Sequence, residues 1–211
     1  MPTIPGVAEQ DTRFWRLDTF SDAIFAVAMT LLVFSFPLSN LPPGLAQAEV
    51  ETLILGLLPQ FTTFVISFLV VGAFWVAHHT TFDRIQRYDR ALVWLNFLFL
   101  LFIVFIPFPT AVMVGYGQYW FAIAFYAATL AAAGFALALL WLYSSHNYRL
   151  IDTATDPREV RLVTFRSLIV PCIFLLSIGV AFIAPGLAQY SWLSIFFVEW
   201  GIKRRSKMIK G

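Results

Sequence analysis

Apolar residues run through this chain in blocks of about twenty, and polar residues gather in the short gaps between them. A helix crosses the ~30 Å hydrocarbon core of a bilayer with about 20 mostly apolar residues, because each residue rises about 1.5 Å. Its backbone polar groups then satisfy one another internally. That ruler predicts six transmembrane helices, at 19–38, 52–79, 91–114, 119–146, 162–184 and 187–202. The uncharged run 91–146 is too long for one crossing, and Gly115-Tyr116-Gly117-Gln118 supplies the break. Pro37 and the segment Ser39-Asn40-Leu41-Pro42-Pro43-Gly44 end the first span, Pro185-Gly186 the fifth, and Lys203-Arg204-Arg205 the sixth. The chain is expected to be an all-α membrane protein with one domain over 1–211.

Along the first span, steps of 100° place Phe20, Ile24, Val27, Leu31 and Phe34 on one stripe and turn Asp22 the opposite way. An acid inside a membrane helix is costly and marks a function or a specific partner. Asp22 is therefore expected to face neighbouring helices, with Arg16, Trp75, His78 and His79 within reach. A hydrogen-bonded structural network is the favoured reading over proton relay, because one acid lacks the chain of titratable groups that a relay needs.

Composition agrees with a bilayer environment: 60% of residues are hydrophobic, 12% are charged, and the mean hydropathy is +0.78. The net charge of +2 forms no basic patch on a soluble face, so no nucleic-acid partner is expected. All 14 Lys and Arg fall before the first span, between the second and third, around the start of the fifth, or after the sixth. Basic residues accumulate on the cytoplasmic side, so both termini are expected there. The alternate loops hold none, and the first carries Glu49 and Glu51. The N-terminal segment has no short apolar core with a small-residue cleavage site, so the first helix is expected to stay in the mature protein. Cys172, the single cysteine, reads as a small packing residue.

Other letters suggest chemistry that their context does not support. His78, His79 and Asp83 are few ligands for a metal, and adjacent histidines diverge on a helix. No metal or cofactor is expected, and no enzymatic activity. Glu199 is followed closely by cations, which an ion pair explains. Val114-Gly115-Tyr116-Gly117 spells the filter of ordinary potassium channels, but it sits at the turn between two full spans with Met113 in place of threonine.

Arg16-Leu17-Asp18-Thr19-Phe20-Ser21-Asp22 reads R-x-x-x-F-S-D at the start of the first helix. It resembles the signature of the transmembrane protein 175 family of potassium channels, in its single-repeat bacterial branch. Trp75-x-x-His78-His79, Arg87-Tyr88-Asp89-Arg90 leading into Trp94-Leu95-Asn96, and Pro107-Phe108-Pro109-Thr110 add to the resemblance, which covers about the first half of the chain. It implies a homotetramer in the bacterial inner membrane whose first helices surround a pore for potassium, the permeant ion. The constriction positions fall on Val27, Leu31 and Phe34, with Thr30 at the position linked to potassium preference. Val27 replaces a larger isoleucine or leucine, and Phe34 a smaller leucine. The resemblance also assigns Arg16, Phe20, Ser21, Asp22, Trp75 and a histidine of the 78–79 pair to an inter-helix network. Glu49 and Glu51, repeated around four chains, would attract cations to the outer mouth, against the alternative of a solvated loop. Beyond the bilayer and its own copies, no partner is inferred. The expected function is a passive potassium-selective channel with a hydrophobic constriction; the alternative is a proton-coupled secondary transporter using Asp22 and Glu199.

Overall fold

The computed structural model describes residues 5–36, 44, 46–183 and 192, with side chains from Trp15 onward. Its helices are α1 (Pro5–Leu31), α2 (Gln47–Gly56), α3 (Leu58–Phe82), α4 (Arg90–Phe105), α5 (Pro107–Tyr116), α6 (Trp120–Ser145) and α7 (Pro157–Ile183). A 3-10 turn, Leu32–Ser35, continues α1. Among the described residues five stretches are long and apolar enough to cross a membrane: Trp15–Ser35, Leu58–Phe82, Arg90–Tyr116, Trp120–Tyr148 and Pro157–Ile183. The sixth expected span, Glu199 and the basic residues after it lie outside the described residues.

Three boundaries differ from the sequence reading for identifiable reasons. The second span was expected from 52, but the helix breaks at Leu57, whose N–H donates to Ile54 O at 3.1 Å. Pro59, in the first turn of α3, has no N–H to continue the ladder. The membrane segment therefore starts at Leu58, and α2 is a separate short helix. The third span is α4 joined end to end with α5, because Pro107 and Pro109 interrupt the backbone bonding around Ile106. The fifth starts at Pro157 rather than 162: Asp156 Oδ1 accepts from Arg158 N at 2.8 Å, and Pro157 suits the first helical position.

The interior is organised around α6. In its most apolar window 67% of residues are buried, against 22–39% in the other four spans, so α6 is the central helix and the others keep a face outward. Its small residues, among them Ala127, Ala131, Ala133 and Gly134, are buried and let neighbouring backbones approach closely. Gly134 faces Pro171 of α7 so closely that an added Cβ would lie 3.0 Å from the proline's own Cβ. Cys172, next to that proline, is exposed, so it does not fill the packing role expected of it.

The segments that carry the arginines meet on one side. Leu17, Phe82, Ile85, Leu92, Trp141 and Ile151 form one buried cluster there. Gln86 N donates to Leu150 O at 2.8 Å, and Arg84 Nη2 lies 3.5 Å from Glu159 Oε1. Asp89 caps α4 by accepting from Leu92 N at 2.8 Å, and its other oxygen accepts from Tyr143 OH at 2.6 Å. These bonds tie the loop after α3 to the loop after α6.

Candidate functional site

The first helix presents two unlike faces. Leu17, Ser21, Phe25, Ala28, Leu32 and Ser35 are buried against the chain's own helices, with small residues at every seventh position. Small side chains at that spacing let α1 lie close to α3 and α4. The other face carries Val27, Thr30, Leu31 and Phe34, all exposed; Phe34 is 78% exposed while Leu32 two residues earlier is 0% exposed. Of the stripe read from the sequence, Ile24 departs, because it packs partly against the core.

The 3-10 turn sharpens the outward row. In an α-helix Phe34 would stand about 60° from Leu31, but residues three apart eclipse in a 3-10 segment. The tightening is held by Ser35 Oγ, which donates to Leu32 O at 2.7 Å. Thr30 Oγ1 donates to Val27 O at 2.8 Å, so its hydrogen is engaged by its own helix and its oxygen lone pairs are what the exposed face offers.

Behind that face lies a directed chain of hydrogen bonds. Ser21 Oγ donates to Leu17 O at 2.9 Å, so it accepts from Asn96 Nδ2, also at 2.9 Å. Asn96 Oδ1 is then the acceptor for His78 Nε2 at 2.8 Å, which selects the tautomer protonated there. Ser21, Asn96 and His78 are each 0% exposed, and the chain links α1, α4 and α3. His78 is further enclosed by Phe25, Phe82 and Phe99, with ring centroids 5.8, 4.2 and 5.4 Å away.

A second link is nearer the surface. Trp75 Nε1 donates to Asp22 Oδ1 at 2.7 Å, and the indole stacks on His79 with centroids 5.7 Å apart. His79 Nε2 in turn lies 3.8 Å from Asp83 Oδ1. Phe20 meets Phe97 edge to face at 5.8 Å. Of the residues expected in the inter-helix network, Ser21, Asp22, Trp75, His78 and His79 are thus joined in two separate links. Arg16 stands exposed on α1 apart from both. Asn96 is the residue that sequence reasoning left out of the site. Its signal was an amide in the otherwise apolar run of α4.

The remaining candidates are elsewhere. Glu49 Oε2 accepts from Ala46 N at 2.8 Å and so caps α2, while Glu51 accepts from Gln47 Nε2 at 3.4 Å. Val114 to Tyr116 are helical, the last turn of α5, and do not form a loop of carbonyls around an ion. Among the described residues no three His, Cys, Asp or Glu side chains stand together as a metal-ligand set.

The fold and this site define an all-α, multi-pass membrane protein whose first span is bonded into the bundle on one side and bare on the other. A family model described as the endosomal/lysosomal potassium channel TMEM175 matches residues 16–107, which hold both links. A potassium channel of Streptomyces collinus is 32% identical over 191 residues, covering 86% of this chain and 90% of that protein. A potassium channel of Chamaesiphon minutus is 30% identical over 196 residues, covering 89% and 91%. The crystal structure of a lysosomal potassium-selective channel TMEM175 homolog from Chamaesiphon minutus superposes with a TM-score of 0.73 at 28% identity, over 92% of this chain and 98% of that one. The chain belongs to the TMEM175 family.

Proposed function

We propose that this chain is a passive potassium-selective cation channel of the bacterial cell membrane, assembled as a homotetramer with the α1 helices around a central pore. The observation that carries the reading is the outward face of α1, where Val27, Thr30, Leu31 and Phe34 are left exposed by the described helices of their own chain. One helix cannot enclose a pore, whereas copies related by closed rotational symmetry can. The relatives at 32% and 30% identity are potassium channels, which supports the same permeant ion here.

In this arrangement Val27, Leu31 and Phe34 form apolar rings. A cation must shed water to pass them without receiving carbonyl or carboxylate replacements, and narrow apolar pores also dewet. Conduction then requires widening of the rings. The Thr30 oxygens, beside the Leu31 ring, offer partial coordination. The two links behind α1 set its rotation, so that the apolar rows point inward rather than into lipid. The basic segments lie on the cytoplasmic side, and one domain of six spans with cytoplasmic termini completes each subunit.

The test is the reversal potential of the purified protein in a planar bilayer with potassium on one side and sodium on the other. A reversal well toward the potassium equilibrium value is expected. A flux that vanishes without a proton gradient would replace the channel with a proton-coupled transporter working through Asp22.

A further inference from the structure

The two polar links set the rotation of α1 at the level of Ser21 and Asp22, near the end toward the arginine-bearing loops. Phe34 is 13 residues beyond Ser21, about 20 Å at the helical rise, and the change from α to 3-10 geometry lies between them. The far end of the helix therefore needs a hold of its own. Of residues 33–36, Val33 and Phe34 are exposed and Ser35 is small, so half-buried Phe36 is the one large side chain directed inward.

Pro37 explains where Phe36 stands. A residue before proline is kept out of helical geometry, and Phe36 is extended, with φ −75° and ψ 133°. The 3-10 turn stops there, its last bond donated by Phe36 N to Val33 O at 3.3 Å. The Phe36 ring then meets two rings of α3, Phe64 with centroids 5.4 Å apart and Phe61 at 6.4 Å. Phe61, Phe64 and Phe68 follow one another at steps of three and four residues, so they share one face of α3. They touch in turn at 6.1 and 6.2 Å. All four rings stand within the range where aromatic pairs attract. Phe34, two residues before Phe36, turns the other way and is 78% exposed.

We infer that Phe36 is a positioning residue for the constriction: seated against Phe61 and Phe64 of α3, it fixes the rotation of the far end of α1 and so holds Phe34 in the row of Leu31. Phe36 touches no ion and acts only through Phe34. The inference rests on the outward row being a constriction shared by several copies of the chain.

The experiment is oxidative crosslinking of Phe34→Cys in the full chain, purified and reconstituted in lipid nanodiscs, with the exposed Cys172 replaced by Ser. With Phe36 in place, copies are expected to crosslink to one another through position 34. Adding Phe36→Ala removes two ring contacts, each worth a factor of about 2–10 in the population of the seated state, so crosslinking is expected to slow at least ~4-fold at unchanged oligomeric mass. Phe64→Ala removes the partner from the α3 side and is expected to slow it as well, while Phe36→Leu, which keeps apolar bulk at the position, should restore most of the rate. Phe174→Ala, which truncates a fully buried ring on α7, is the control for mere loss of stability. It is expected to lower the thermal midpoint and leave the crosslinking rate as it was. In bilayers Phe36→Ala with Phe34 intact should move the reversal potential between potassium and sodium toward zero. Unchanged crosslinking in both Phe36→Ala and Phe64→Ala, or an equal slowing by Phe174→Ala, overturns the inference and leaves the shared pore standing. Absence of crosslinking through position 34 with Phe36 in place overturns the shared pore, and this inference with it.

Discussion

Asn96 donates from Nδ2 to Ser21 Oγ across 2.9 Å, joining α4 to α1 where both side chains are fully buried. The same amide accepts from His78, so one side chain satisfies groups on two other helices. Replacing Asn96 with Leu leaves the His78 Nε2–H with no acceptor in an apolar setting, and a buried donor stranded in that way costs about 1–3 kcal/mol. Asn96→Leu is therefore expected to lower the thermal midpoint of the detergent-purified protein by several degrees. Ser21→Ala should cost less, and the double variant should cost less than the sum, because the two act through one bond. Additive losses would show that the two side chains do not share it.

The Trp75 to Asp22 bond makes a separate prediction, because its acceptor is a carboxylate and both residues are exposed in the single chain. Trp75→Phe keeps the ring against His79 and removes the donor. Asp22→Asn keeps an acceptor and removes the charge. Both are expected to leave each chain folded and to disturb assembly or gating, read as the tetramer fraction by light scattering and as open probability in bilayers. Wild-type assembly together with wild-type gating in both variants would remove this link from the mechanism.

Truncating the outward row acts mainly on the pore. Phe34→Ala lies where the side chain is 78% exposed, so little packing within the chain is lost and thermal stability should change by less than about 1 kcal/mol, while Leu31→Ala, at 37% exposure, should cost somewhat more. Leak current should rise, and the reversal potential between potassium and sodium should move toward zero. Leu32→Ala is the control. It is fully buried, so it should cost about 2–5 kcal/mol of stability through the cavity it leaves.

Close approach of α6 and α7 rests on a missing side chain. A Cβ on Gly134 meets three Pro171 ring atoms at 3.0, 3.2 and 3.3 Å, and the rigid ring has little room to yield. Gly134→Ala should destabilise by about 1–3 kcal/mol through overpacking, which outweighs the gain in helix propensity. Gly115→Ala in α5, where no atom lies within 4 Å of the added carbon, should be neutral or stabilising. Thermal unfolding of the two variants side by side checks the contrast.

Much of this architecture is legible along the chain itself. Helix class and the approximate positions of five spans follow from local hydropathy, because the bilayer imposes length and composition on each span separately. That Val27, Leu31 and Phe34 share one stripe is readable from a 100° period, and Asp22 stands out by its rarity in an apolar run. Prolines at 59, 107 and 109 are visible as letters, but whether each starts, joins or ends a helix depends on which carbonyls lose their donor.

By itself the sequence determined that this is a multi-span helical membrane protein with one polar-marked, stripe-bearing first helix, since spacing and hydropathy are properties of a single segment. Only the tertiary structure decided which side of that helix is buried, because both of its faces are largely apolar and only contact with α3 and α4 separates them. It decided that Asn96 completes the Ser21 and His78 bonds, as donors and acceptors separated by 75 and 18 residues meet only when three helices pack. The 3-10 turn that brings Phe34 into the row of Leu31, and the contact of Gly134 with Pro171, have the same origin. Each depends on distances between segments, which no local pattern along the chain encodes.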